Sequence, residues 1–211
     1  MSDNPSGEPQ DWTEANILPF SPAQPEDLLI GVVDRLVHET LSEHLESWHY
    51  FWEGKPISMR HLRLRVLWRP GQGGEGRAAL TTYLDEAEAA EGIWRWYPGN
   101  NGIPGEEYQG EAAAYDGPEM WRVTYRDWQA GSDLALALLK LDAEGRLAEG
   151  REFHLQRRVH LHSNRVGLNY FNEGKLYLRL TLGYLTEAGL AGTPDGANIL
   201  QILRQINDAI R

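Results

Sequence analysis

The sequence predicts an α+β fold, a single domain in which a small, mostly antiparallel sheet packs against helices. Three observations predict it. His61-Leu62-Arg63-Leu64-Arg65-Val66-Leu67-Trp68 alternates as a half-buried strand does, with Leu62, Leu64, Val66 and Trp68 on one face and His61, Arg63, Arg65 and Leu67 on the other. Ser47-Trp48-His49-Tyr50-Phe51-Trp52 reads as a second strand, and the turn Glu53-Gly54-Lys55-Pro56 lets the two form a hairpin. Several other stretches keep a helical spacing of apolar residues, the clearest at 26–46 and from Pro194 to the end.

Taken in order, residues 1–20 are rich in Pro, Ser, Asp, Asn and Glu and show no period, which predicts a flexible N-terminal arm. Its apolar Ile17-Leu18-Pro19-Phe20 can dock on the domain, which spans 21–211. In the helix over 26–46, Leu29, Val32, Val33, Leu36, Val37 and Leu41 share a face, and Glu26 and Asp27 complement its dipole. Gly71-Gln72-Gly73-Gly74 is glycine-rich without the Lys-Ser/Thr of a phosphate loop, so it predicts a flexible loop, followed by a helix over 76–90. Ile93-Trp94-Arg95-Trp96-Tyr97 is a third strand. Residues 98–110 are loop, and helices follow over 119–128 and 132–141, the second with Ser132 as N-cap. Leu176, Leu178, Leu180 and Leu182 alternate like a strand, but Asn172 can cap a helix and the apolar pattern runs past Leu185; we read a helix. Thr193-Pro194 is an N-cap followed by an N1 proline, with Ile199, Leu203, Ile206 and Ile210 as the apolar stripe.

Composition excludes several functions. The chain of 211 residues has no cysteine, so disulfides, thiolate metal sites and thiol catalysis are out. No apolar run nears the roughly 20 residues that span a bilayer, and the N-terminus lacks a signal-peptide pattern, so the expected location is the cytoplasm. A net charge of −11 is unsuited to general nucleic-acid binding. Eight tryptophans and nine tyrosines are many for this length; such rings line peptide grooves as readily as cores, and the pairs Trp48/Trp52 and Trp94/Trp96 are candidates for either.

The row His61, Arg63, Arg65 has its side chains about 7 Å apart. It suits an anionic or carbonyl-rich ligand, because guanidinium is a permanently charged fork of donors; the alternative is a solvated face with ordinary salt bridges. In Arg157-Arg158-Val159-His160-Leu161-His162-Ser163-Asn164-Arg165, two histidines at i and i+2 share one face of a strand. They can hold a metal only with a third ligand, and no HExxH or nearby carboxylate suggests one, so no metal is expected.

Three stretches carry a family resemblance. His61-Leu62-Arg63-Leu64-Arg65 resembles the HLRLR strand of the C-terminal elimination domain of class I lantibiotic dehydratases. Tyr108-x-x-Glu111 followed by Tyr115-Asp116-Gly117-Pro118-Glu119 resembles that family's YxxExxRYGGPE segment, and His160-x-x-x-Asn164-Arg165 its HMxxNR segment. The match runs from about Asp27 to Leu185 and implies that domain's fold. The family has two branches. One eliminates glutamate from glutamylated Ser or Thr of a ribosomally made peptide, leaving dehydroalanine or dehydrobutyrine. The other, the thiopeptide pyridine synthases, joins two dehydroalanines in a formal [4+2] aza-cycloaddition and expels the leader peptide. The glutamylating domain of a full dehydratase is not in this sequence, so the tRNA-dependent first step is not expected of it.

This chain has Ala114 where the eliminating branch carries an arginine that helps hold the glutamyl carboxylate. Alanine offers no donor, and an unpaired buried carboxylate costs several kcal/mol, roughly. The resemblance therefore implies the cycloaddition branch, acting without cofactor on a linear precursor peptide of leader plus azole- and dehydroalanine-containing core. His160 is the implied proton shuttle, with a structural histidine as the alternative. Arg63 and Arg65 orient carbonyls, with His61 beside them. Tyr115 is a candidate donor to the amide oxygen, or a packed core residue. His162 and Tyr170 are further candidates, Asn164 and Arg165 brace the loop carrying His160, and Trp94 and Trp96 stack on the core peptide. The expectation is one pocket lined by guanidinium on one side and imidazole on the other. Two alternatives remain: a glutamate eliminase working beside a separate glutamylating partner, and a non-catalytic leader-peptide binder, reached for instance by strand addition at a sheet edge. Ring size, leader recognition and oligomeric state are not readable.

Overall fold

A central, partly polar strand organises the sheet. In the computed structural model, which describes residues 11–20, 25–53, 60–100, 107–187, 189 and 192–210, strand β1 runs from Trp12 to Leu18. It lies between β3 (His61–Trp68) and β4 (Arg95–Pro98), and β2 (Leu45–Glu53) pairs with the far side of β3, giving the order β2-β3-β1-β4 with every pair antiparallel. The expected hairpin partners β2 and β3 do pair, from Glu53↔His61 to Ser47↔Leu67; residues 54–56 of the expected turn lie outside the described residues. The flexible arm of 1–20 is corrected at 12–18. Trp12-Thr13-Glu14-Ala15-Asn16-Ile17-Leu18 alternates, but one face carries Glu14 and Asn16, which read as solvent-facing and are both buried. Phe20, just beyond, is exposed.

The chain divides into two compact units, 1–147 and 148–211. In the first, the sheet face built from Ala15, Ile17, Leu62, Leu64, Val66, Trp68 and Trp48 meets the helical segment after Pro25 and the helix α2 (Gly73–Ala89) through Leu29, Val33, Leu36, Leu80 and Leu84. The segment is α1 (Pro25–Leu28) followed by two π-type turns, Leu29–Val33 and Leu36–Thr40. It stops at Thr40 rather than 46, because Leu45 already pairs in β2. Helix α2 begins three residues before the expected start and takes in Gly73 and Gly74. Two of its glycines have steric reasons: a Cβ on Gly76 would sit 2.5 Å from the Trp68 ring, and one on Gly73 would overlap the Asp11 carboxylate.

The expected pair of helices over 119–128 and 132–141 is one helix, α3 (Pro118–Ala143), so Ser132 is no N-cap. Its hydroxyl donates to the Trp128 carbonyl at 2.9 Å and accepts from the Tyr50 N–H at 3.3 Å. Ala130-Gly131 does not interrupt the helix because its flanks, Trp121 and Tyr125 before and Leu136 after, are buried in packed clusters.

The second unit is helical: α4 (Arg151–Arg165), α5 (Tyr170–Glu187) and α6 (Pro194–Ala209). The helical reading of 175–182 and the Thr193 cap are as expected; the Thr193 side chain accepts from the Gly196 N–H at 3.1 Å. The cap of α5 is Asn169, whose side chain accepts from the Asn172 N–H at 2.9 Å, and not Asn172. The buried line of α6 runs through Leu200 and Asn207, with Ile199 and Ile206 exposed. Among the described residues no helix is long and apolar enough to cross a membrane.

Candidate functional site

The face of the sheet opposite the main core carries Glu14, Asn16, His61, Arg63, Arg65, His49 and Phe51, as the registers Glu14↔Arg65, Asn16↔Arg63, His49↔Arg65 and Phe51↔Arg63 require. It is not a solvated face: every residue of β3 is buried. Nor are the arginines an open row of donors. Arg65 Nε donates to Glu14 Oε2 at 2.9 Å and its Nη1 lies 3.0 Å from Glu111 Oε1. Arg63 Nε is 3.7 Å from the other oxygen of Glu14, and its Nη1 3.6 Å from Glu53. Two guanidinium groups thus meet three carboxylates, with Glu14, fully buried, between them. Burial works against the Arg65 charge, but Tyr108, Glu14 and Glu111 around it push its pKa up.

The second motif closes on the first. The Arg65 guanidinium stacks on the Tyr108 ring at 4.1 Å, a cation–π contact, while Glu111 holds its edge. Tyr108-x-x-Glu111 is therefore a clamp on Arg65. Tyr115-Asp116-Gly117-Pro118-Glu119 is the entry to α3. Ala112–Tyr115 form a 3-10 turn, Asp116 is left-handed at φ 59°, and Gly117 has φ 100°, a conformation that favours glycine. Pro118 then takes the N1 position and Glu119 complements the helix dipole.

That turn presents Tyr115 half-buried against Trp121 and Trp128, with ring centroids 5.4 Å from each. Burial and the Glu111 carboxylate push its phenol pKa up, against the opposing effect of Arg65, so it stays protonated and can donate. Ala114, its neighbour, is exposed and offers no donor. Behind it is an aromatic cluster of Trp12, Tyr108, Trp121 and Tyr125, which also packs on His49. His49 is fully buried, with neither ring nitrogen hydrogen-bonded among the described residues. Burial, then the Arg65 charge, lowers its pKa to about 3, so it is neutral in the folded state.

Beside β1 a cavity of about 430 Å³ is lined by Asp11, Glu14, Arg77, Glu107 and Tyr108, among others. Among the described residues its one lining cation, Arg77, is ion-paired with Asp11. With Arg77 offset by Asp11 and Glu14 shared with the arginines, Glu107 leaves this wall acidic.

In the second unit, His160 lies on α4. The expected strand is corrected: Glu152 in the first turn and the Leu, Gln and Arg residues that follow favour a helix over the short alternation of Val159-His160-Leu161-His162. Positions two apart on a helix point about 200° apart, so His160 and His162 do not share a face, and no loop carries His160 for Asn164 and Arg165 to brace. The side chains of His162, Asn164 and Tyr170 lie outside the described residues; Arg165 is exposed. The turn from Gly167 (φ 83°) to Asn169, held by the Leu168 N–H donating to the Ser163 carbonyl at 3.0 Å, brings α5 back along α4. This sets the His160 ring against Glu173, with Nδ1 2.8 Å from Oε2 and 3.1 Å from Oε1. Among the described residues no group of three His, Asp or Glu side chains is placed to hold a metal.

The tryptophans separate by role. Trp48 is core, Trp52 packs against that core and takes the Arg60 guanidinium on its ring at 4.8 Å, and Trp96 packs on the same core while its Nε1 donates to Asp85 at 2.9 Å. Trp94 precedes β4 rather than belonging to it, so it shares no strand face with Trp96, and it is exposed. The outer edges of the sheet are partly satisfied as well. On β2 the Tyr50 N–H is taken by Ser132, and on β4 the Trp96 N–H is taken by Glu88 at 3.3 Å, with Pro98 lacking an N–H. Sequence reasoning missed Glu14, His49 and Glu173. Alternation marks His49 as a facemate of Phe51; Glu14 sat in a segment read as an arm, and nothing in the sequence pairs 160 with 173.

No curated protein matches the chain. A family model described as "Lantibiotic biosynthesis dehydratase C-term" matches residues 12–163, from the first residue of β1 into α4, and spans all of the sheet, the Arg65 clamp and His160. The chain accordingly belongs to the lantibiotic dehydratase C-terminal family, whose members modify ribosomally made peptides, and its substrate class is a modified precursor peptide.

Proposed function

We propose that this protein is a pyridine synthase of thiopeptide type, acting on a linear peptide with two dehydroalanines. The observation that carries the reading is the neutralised arginine row. Arg63 and Arg65 already share three carboxylates, Ala114 adds no cation, and the adjoining cavity wall is acidic. A glutamyl carboxylate brought here meets like charge, whereas an uncharged peptide meets none.

The chemistry suits such a site. One amide loses its N–H proton and gains one on oxygen, becoming an iminol and hence a 2-azadiene. Its terminal carbon and its imine carbon form two bonds to the second dehydroalanine. Water leaves, and then the C–N bond to the leader breaks, releasing the leader as a carboxamide and leaving an aromatic pyridine. Holding the two alkenes together is the largest contribution, on the order of 7–11 kcal/mol. Tyr115, held protonated, donates to the amide oxygen. His160 moves the proton between nitrogen and oxygen. Arg63 contributes a guanidinium whose position is fixed by Glu14 and Glu53, while Arg65, clamped on all sides, braces the wall. Trp94, exposed, is the ring available to stack on azoles.

The family description itself favours a second reading, glutamate elimination. Titrating the protein with a leader–core peptide bearing dehydroalanines, and with the same peptide bearing glutamylated serines, separates them. The cyclisation reading predicts at least tenfold tighter binding of the uncharged peptide; tighter binding of the glutamylated one contradicts it.

A further inference from the structure

We propose that Glu173 is the residue that positions His160, by accepting its Nδ1 proton and so leaving the basic lone pair on Nε2. This rests on His160 being the proton shuttle and names a second residue for that role. The Glu173 side chain is 6% exposed and that of His160 33%, so the carboxylate is enclosed while the imidazole it holds still reaches the surface. Both carboxylate oxygens lie within hydrogen-bond distance of Nδ1.

The direction of the bond follows from charge. Burial pushes the Glu173 carboxyl pKa up, but the His160 ring and the Tyr177 hydroxyl beside it outweigh that and hold it below the ordinary carboxylate range. An ionised carboxylate can only accept. The shared proton therefore sits on Nδ1, and in a neutral imidazole the other nitrogen is then the acceptor. The two partners stand on α4 and α5, and the short turn between these helices is held by the Asn169 cap and the Leu168–Ser163 bond. A base whose second nitrogen is held by a carboxylate is the arrangement that fixes both tautomer and ring orientation. In the proposed cycle Nε2 takes the amide proton, the imidazolium returns one to the amide oxygen, and Glu173 stays ionised throughout.

The test uses the full chain labelled with ¹⁵N at histidine, the His160 signals being assigned by their loss in His160→Gln. At alkaline pH, with the ring neutral, the wild-type spectrum should show the proton on Nδ1, and Glu173→Leu should move it to Nε2. With the dehydroalanine peptide, Glu173→Leu should lower kcat by on the order of 10²-fold or more with KM within about twofold, and Glu173→Asp should restore part of it. A wild-type proton on Nε2, or an Nδ1 proton unchanged in Glu173→Leu, overturns the proposal. Should Glu173→Leu fail to fold, the wild-type tautomer and that of Glu173→Gln still decide. A tautomer that moves while turnover stays constant supports Glu173 as the positioning residue and overturns His160 as the shuttle.

Discussion

Replacing Glu14 with alanine would leave two buried guanidinium groups short of the carboxylate between them. Breaking a buried pair in this way costs about 3–5 kcal/mol, since the remaining charge has lost its compensation. A urea-denaturation midpoint should fall accordingly, and Glu14→Leu combined with Arg65→Met should recover part of the loss, because removing both charges also removes their desolvation. His49 makes a second residue-scale prediction. Its folded-state pKa, about 3, lies below the ordinary 6.5. The unfolded chain therefore binds the proton more readily, and the stability this contributes is complete above pH 6.5, roughly, and lost as pH falls towards 3. By pH 5 the loss is about 2 kcal/mol. Denaturation midpoints measured at pH 7.5 and 5 should show it, and His49→Phe, which keeps the aromatic packing, should flatten it. An equal slope in the variant would place the titration elsewhere.

At the scale of elements, what could be read depended on whether burial followed hydropathy. Strand β3 was legible because its apolar face alternates strictly, and α6 because Thr193-Pro194 is a local start signal whose geometry needs no tertiary context. Strand β1 was not, because its second face is stabilised by an ion pair with a strand some fifty residues on; a buried glutamate looks like a solvated one until its arginine is placed. Helix α3 was divided before Ser132 because that serine reads as an N-cap, yet packing on both flanks carries the helix through. Ser132, read as a cap, instead serves the edge of β2. Packing also explains Gly76. A methyl group there would press on the Trp68 ring, so Gly76→Ala should destabilise by about 1–3 kcal/mol in spite of alanine's better helix propensity, readable as a lower thermal midpoint. A gain in stability would show that Trp68 can move aside.

For the whole molecule, the motifs were legible as a family signature before their physical work was visible. The HLRLR strand and the Tyr108-x-x-Glu111 segment belong together because the second clamps an arginine of the first. Tyr115-Asp116-Gly117-Pro118-Glu119 is a helix entry that happens to present a phenol. The role of charge was not legible, since the row of arginines suggested an anion site and its own carboxylates cancel it. On the proposed reading, that cancellation makes an uncharged, doubly dehydrated peptide the substrate. Mass spectrometry of the full-length protein incubated with a synthetic leader–core peptide carrying azoles and two dehydroalanines tests it most directly. The account predicts a leader carboxamide and a pyridine macrocycle, both lost in His160→Ala. An unchanged dehydroalanine peptide, together with loss of glutamate from a glutamylated-serine peptide under the same conditions, would contradict it.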